Sequence, residues 1–187
     1  VGFGLYSTFI KRNYTPKKKQ GLQPVSKDRE KFYLSKGLSE EDITFFRETM
    51  NNTKEQILQV ETNVNQVGKL RAIANRNNTL NLIKVLFKDI VNEPDRLHEV
   101  DQFLYVHLPS LAELTTKYVL INQHQAKSKQ TFDVLEKSAR TIDEMCQQIS
   151  NDYVSFRSTD ISSLTDEVEL ATKRLHREGS NIEEDEI

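Results

Sequence analysis

The chain has 187 residues, 36% hydrophobic and 29% charged, with no Trp and a formal net charge of −2. Six Gly and four Pro supply little turn chemistry for a sheet protein, and the composition is lean for a compact α/β enzyme but ordinary for long helices with a large solvated face. The single Cys146 excludes an internal disulfide framework and fits a reducing compartment.

The charge is unevenly placed. Residues 1–31 hold eight Lys or Arg against two acids, a net +6, which leaves −8 for the rest of a chain totalling −2. A basic arm on an acidic body points to an anionic surface as partner for the arm alone. Nucleic acid is not expected as a partner, because the body shows neither a basic stripe nor a reading motif.

The chain begins "VGFGLYSTFI", and "KRNYTPKKK" comes directly after it. Ten apolar residues are too few to cross a bilayer, which needs about 20. Two readings fit. Residues 1–10 are the end of a truncated transmembrane segment, or an apolar terminus by chance. The basic cluster favours the first. Lys11, Arg12, Lys17, Lys18 and Lys19 would lie at the membrane surface and hold the downstream chain on the cytoplasmic side. A signal peptide fits less well, since its charges precede the apolar run. Residues 11–31, with Pro16, Gly21 and Pro24, read as a flexible basic juxtamembrane linker.

A helical body is predicted over 32–178. Ser39 is an N-cap candidate, with Asp42 three residues on. Ile43, Phe46, Met50, Thr53, Ile57, Val60, Val64, Val67, Arg71 and Ala74 then recur at alternating spacings of 3 and 4, a heptad seam with two polar interruptions. Phe45, Leu58, Leu70 and Ile73 widen the stripe, and "NRNN" (75–78) should end the helix. A short, largely buried helix is predicted over 79–92. Pro94 suits the first turn of the next helix, whose seam runs from Leu97 through His107 to Ile121. Pro109 predicts a kink or break at His107–Leu108.

The polar stretch 122–130 is a turn or an exposed helical segment. Phe132, Leu135, Ala139, Ile142, Cys146, Ile149, Tyr153 and Phe156 form the next seam. The rhythm slips at "RSTD" and restarts as Ile161, Leu164, Val168, Ala171 and Leu175, with Thr159 or Asp160 as a cap. Residues 179–187 read as an acidic disordered tail. The expected fold is all-α: an elongated antiparallel, coiled-coil-like bundle of four or five helices with a flexible basic N-terminal arm. Heptads alone do not separate pairing within one chain from pairing between two, so an oligomer is compatible with the pattern.

Three stretches in order, "YLSKGLSEEDITFFRETM" with "KEQI", then "FLYVHLPSLAELTTKY", then "IDEMCQQISNDYVSFRSTDISSLTDEVELATKRL", resemble the XpaC family, named for 5-bromo-4-chloroindolyl phosphate hydrolysis. The likeness spans roughly Phe32–Leu175. It implies an N-terminal membrane segment, a cell-membrane location, and association with a TelA-like toxic-anion-resistance protein. The family name implies phosphate-ester cleavage.

The residues show little machinery for that reaction. Asp152, not Arg, stands six after Cys146, and neither a P-loop nor an Asp-x-Asp nucleophile motif is present. No cofactor or metal site is expected. Asp95, His98 and Asp101 share one helical face, for which a solvated acidic surface is a sufficient account. His107 fits a packed histidine that bonds a carbonyl freed by the kink. Asp152, Arg157 and Asp160 are the weak catalytic or phosphate-binding candidates. The competing account makes Asp160 a helix cap and pairs Arg157 with a nearby carboxylate. The sequence therefore favours a membrane-tethered scaffold that binds partner helices, with a phosphate-ester hydrolase of unrecognised mechanism as the alternative.

Overall fold

A computed structural model describes residues 21–184. Residues 1–10, expected to be the end of a membrane span, and the basic residues Lys11, Arg12, Lys17, Lys18 and Lys19 lie outside the described residues. Among those described there is no strand, and no helix is long and apolar enough to cross a membrane. The helices are α1 (Lys27–Ser35), α2 (Glu40–Gln66), α3 (Gly68–Arg76), α4 (Thr79–Asn92), α5 (Leu108–Asn122) and α6 (Lys129–Glu184). A 3-10 segment, Pro94–Val100, and a π turn, Phe103–His107, lie between α4 and α5.

The described part of the linker departs from the flexible reading. Ser26 caps α1 by accepting a hydrogen bond from the Arg29 N–H at 3.3 Å. The Gln23 carbonyl accepts from Arg47, and Val25 packs against the core. A capping residue and two contacts to the body offset the entropy that Gly21 and Pro24 would otherwise favour. Buried Tyr33 then sets its ring edge-on to Phe46.

Gly37, at φ +85°, turns the chain from α1 into α2, a conformation that side chains with a Cβ resist. The Ser39–Asp42 pair closes a full capping box: Ser39 Oγ accepts from the Asp42 N–H, and the Asp42 carboxylate accepts from the Ser39 N–H at 2.9 Å.

Along α2 the heptad reading holds position by position, and Ile43, Phe46, Met50, Thr53, Ile57, Val60, Val64 and Val67 are all buried. Thr53 is tolerated on the seam because its hydroxyl donates to the Thr49 carbonyl at 2.8 Å. Phe45 and Leu58 are exposed, so they do not widen the core stripe as expected.

The long first helix is broken. Val67 takes extended angles (φ −130°, ψ 122°), and α3 restarts at Gly68. The break swings Arg71 off the seam into solvent, where it donates back to the Asn65 carbonyl at 2.6 Å and satisfies the end of α2. Leu70, Ile73 and Ala74 remain buried on the new axis.

The short helix falls at Thr79–Asn92, as expected, behind a turn with Asn78 in the left-handed region at φ 52°. Pro109 leaves α5 starting at Leu108. It has no N–H to donate, and the turn before it widens so that the Leu108 N–H donates to the Phe103 carbonyl five residues back.

The core forms where α2 packs on α5, α5 on α6, and α3 and α4 on α6. Between α2 and α5, buried Asn63 donates to the hydroxyls of Thr115 and Thr116, a polar contact satisfied within an apolar layer. Cys146 is buried, and burial pushes its thiol pKa up.

The largest departure is α6. The helix runs unbroken for 56 residues, about 84 Å, straight through "RSTD" and on to Glu184. Asp160 is therefore mid-helix and caps nothing. The tail expected to be disordered from 179 is helical through Glu184, since a single Gly179 costs only about 1 kcal/mol and no Pro interrupts. The seam from Phe132 to Phe156 faces the core, apart from Phe132 itself, which is exposed, and Tyr153, which is half-buried. Beyond Arg157 every residue from 158 to 179 is exposed, so about 22 residues of helix, ~33 Å, overhang the body.

Candidate functional site

The three weak catalytic candidates sit near the point where α6 leaves the body, but they do not form one site. Asp152 faces α5. Its carboxylate meets His107 Nδ1 at 2.5 Å, and both side chains are mostly buried. Burial pushes the Asp152 carboxyl above the ordinary carboxylate range, and the His107 hydrogen bond pulls the other way. His107 stands on the last residue of the π turn, so the distortion set by Pro109 aims the imidazole at a carboxylate, not at a freed carbonyl.

Arg157 and Asp160 are brought together one turn further on. Arg157 bonds Asp160 at 3.3 Å and reaches Asp89 on α4 at 2.6 Å. The Asp89 contact is an ion pair without the alignment of a hydrogen bond. This bears out the expected pairing of Arg157 with a nearby carboxylate and replaces the capping role expected of Asp160.

Arg96, on the 3-10 segment, completes the junction. Its guanidinium stacks 3.8 Å from the centre of the Phe156 ring. It donates to the Phe156 carbonyl at 2.8 Å, to Glu99 at 2.5 Å and to Glu93 at 3.3 Å, and it lies 3.6 Å from Asp160. Its side chain is 12% exposed. The Phe156 carbonyl it binds is a helical acceptor at the last buried position of α6. Arg96 thus ties the 3-10 segment to α6 where the free overhang begins.

Two guanidiniums here face four carboxylates: Glu93, Glu99, Asp89 and Asp160. Each cation is already neutralised, so the junction is poorly suited to hold a phosphate and well suited to act as a strut. Of two open grooves on the surface of the described residues, neither includes Asp152, Arg157 or Asp160. The larger, about 540 Å³, lies between Lys36–Leu38, the start of α2 and the 3-10 segment, and its lining includes Asp95, His98 and Asp101. No three His, Cys, Asp or Glu among the described residues are arranged to hold a metal ion.

The third feature is the overhang. Ile161, Leu164, Val168 and Leu175 are 68%, 63%, 56% and 69% exposed, and together with Ala171 they form the restarted heptad series read in the sequence. This stripe is the buried seam of α6 advanced by one residue, about 100° around the axis. It does not continue the surface that packs on the body.

Fold and site together define an all-α helical body braced by an arginine–carboxylate strut and carrying a long helix that is solvent-exposed from 158 to 179. The chain belongs to the family of 5-bromo-4-chloroindolyl phosphate hydrolysis proteins, which matches residues 2–171. That match extends upstream of the body into residues 2–31. The chain is 20% identical over 149 residues, 80% of its own length and 73% of the relative's, to Protein XpaC of Bacillus subtilis (strain 168). No solved structure matches.

Proposed function

We propose that the protein is a membrane-tethered helical scaffold on the cytoplasmic face of the cell membrane, and that its overhanging helix docks a partner helix. The observation that carries this reading is the solvent-exposed apolar series Ile161–Leu175 on a helix with nothing packed against it among the described residues. Such a stripe is a poor end state in water, because burying each Leu or Ile contributes about 1.5–3 kcal/mol. The basic cluster Lys11–Lys19 supports attachment to an anionic leaflet, at about 1 kcal/mol for each basic residue near the surface. A TelA-like toxic-anion-resistance protein is the partner that the family resemblance suggests.

Two experiments test the scaffold. The intact chain should co-sediment with vesicles containing anionic lipid and not with neutral ones. Reversing Lys17, Lys18 and Lys19 to Glu should weaken that binding, and equal binding to both vesicle types would count against it. A purified TelA-like protein should bind the intact chain and lose affinity when the stripe carries Ile161→Glu with Val168→Glu. Binding indifferent to those changes rejects the stripe as its docking face.

A second reading, phosphate-ester hydrolysis, draws support from the family description and from the His107–Asp152 pair. An imidazole and a buried carboxylate at hydrogen-bond distance are the parts of a general base.

A further inference from the structure

We propose that the first occupant of the exposed stripe is the same stripe of a second copy of this chain, running antiparallel. The inference rests on the docking reading above and deepens it.

The stripe has the geometry of a coiled-coil seam and not that of a groove-filling helix. Val154, Ile161, Val168 and Leu175 recur every seven residues, and all four are exposed. Ile182 continues the series in the sequence. Leu164 and Ala171 fill the alternate positions. A strict seven-residue repeat stays in register only with a helix that supercoils around it. Residues 158–179 of the overhang are all exposed, so a partner helix meets no obstruction from the body among the described residues.

Charge selects both the occupant and the direction. The residues flanking the seam on one side are Asp160, Glu167 and Arg174, and on the other Thr165, Thr172 and Gly179. In a parallel pair each charged residue would face an uncharged one: Asp160 opposite Thr165, Glu167 opposite Thr172, Arg174 opposite Gly179. In an antiparallel pair with Val168 opposite Ala171, Leu164 meets Leu175, so a Leu–Leu layer closes each end of two central Val–Ala layers, and the apolar seam ends where Ile161 meets Glu178. Glu167 then faces Arg174 of the other copy, twice by symmetry. One sequence supplies both halves of the ion pair, as an isologous two-fold interface requires. Flanking charges of this kind fix orientation in coiled coils.

Sedimentation equilibrium of the full chain tests this. The wild type should show a concentration-dependent monomer–dimer equilibrium. Val168→Glu places two unpaired charges at the centre and should raise the dissociation constant at least about 100-fold. Circular dichroism should show the body intact, because Val168 touches nothing in it. Glu167→Arg alone should weaken the dimer about tenfold, and Glu167→Arg combined with Arg174→Glu should restore it. A dimer broken by Val168→Glu but indifferent to both charge reversals would overturn the antiparallel arrangement. A chain that stays monomeric, or a dimer that survives Val168→Glu, would overturn the second-copy assignment. If the chain is monomeric and Val168→Glu still abolishes binding of a TelA-like protein, the self-pairing fails while the docking reading stands.

Discussion

Replacing Arg96 with alanine should destabilise the body more than any other single change at its charged surface. The guanidinium is nearly buried, lies flat on Phe156, and donates to the Phe156 carbonyl and to Glu99. A hydrogen bond from a charged donor is worth about 1.5–3 kcal/mol, and a largely desolvated cation–π contact about 1–2 kcal/mol. These contributions overlap, and Glu93 and Glu99 regain water when the cation leaves. The expected net loss is about 2–3 kcal/mol. For a chain of this length that lowers Tm by roughly 4–12 °C. Thermal unfolding followed by far-UV circular dichroism reads the shift. Arg96→Lys keeps the charge but loses the planar fork and the stacking face, so it should recover less than half of the loss. If Arg96→Ala melts within about 1 °C of the wild type, the strut carries no weight and the junction is merely a solvated cluster.

Asp160→Ala should cost no more than about 0.5 kcal/mol, because Asp160 is a half-exposed mid-helix partner of Arg157; a helix cap at that position would cost about 1 kcal/mol. Gly37→Ala forces a Cβ into a left-handed backbone and should cost about 1 kcal/mol, read from denaturant midpoints. Acid unfolding should separate two carboxylates by sign. The Asn77 hydrogen bond, with help from Arg76, holds Asp143 below its ordinary value. Its contribution is therefore present above the unfolded carboxyl pKa of about 3.9 and lost as pH falls through the lower folded value, and Asp143→Asn should flatten that acid limb. Asp152 is shifted upward by burial, so its contribution is present below the unfolded value and lost as pH rises through the folded one. Asp152→Asn should remove that gain and steepen the same limb.

The heptad pattern makes the core legible because each helix buries one stripe, and residue spacing reports a stripe directly. From Ile43 to Val67 every seam position is buried, and Thr49 and Asn63 are the buried residues beside it that the spacing does not report. Arg71 escapes because the backbone breaks at Val67, where Gly68 is the one available signal. In the spacing, the slip at "RSTD" looks like a helix boundary. It is a change of face on one continuous helix, since a stripe that moves by one residue and a chain that stops look alike in spacing. Residues 27–31 look like linker because α1 is stabilised by Ser26 and by Tyr33 on Phe46, and that ring contact crosses the turn at Gly37. The site is less legible still. His107 and Asp152 are 45 residues apart, and only the packing of α5 on α6 brings them together. Arg96 looks like one charge on a solvated face until the 3-10 segment sets it over Phe156.

Docking, as opposed to chemistry, is tested most directly by a turnover measurement. The purified full chain is incubated with 5-bromo-4-chloroindolyl phosphate, with divalent metals and with chelator, beside Asp152→Asn and Arg157→Ala. No hydrolysis should co-purify with the protein and respond to those substitutions. Turnover that persists through purification and disappears in either variant while its helical content is retained would contradict the scaffold reading.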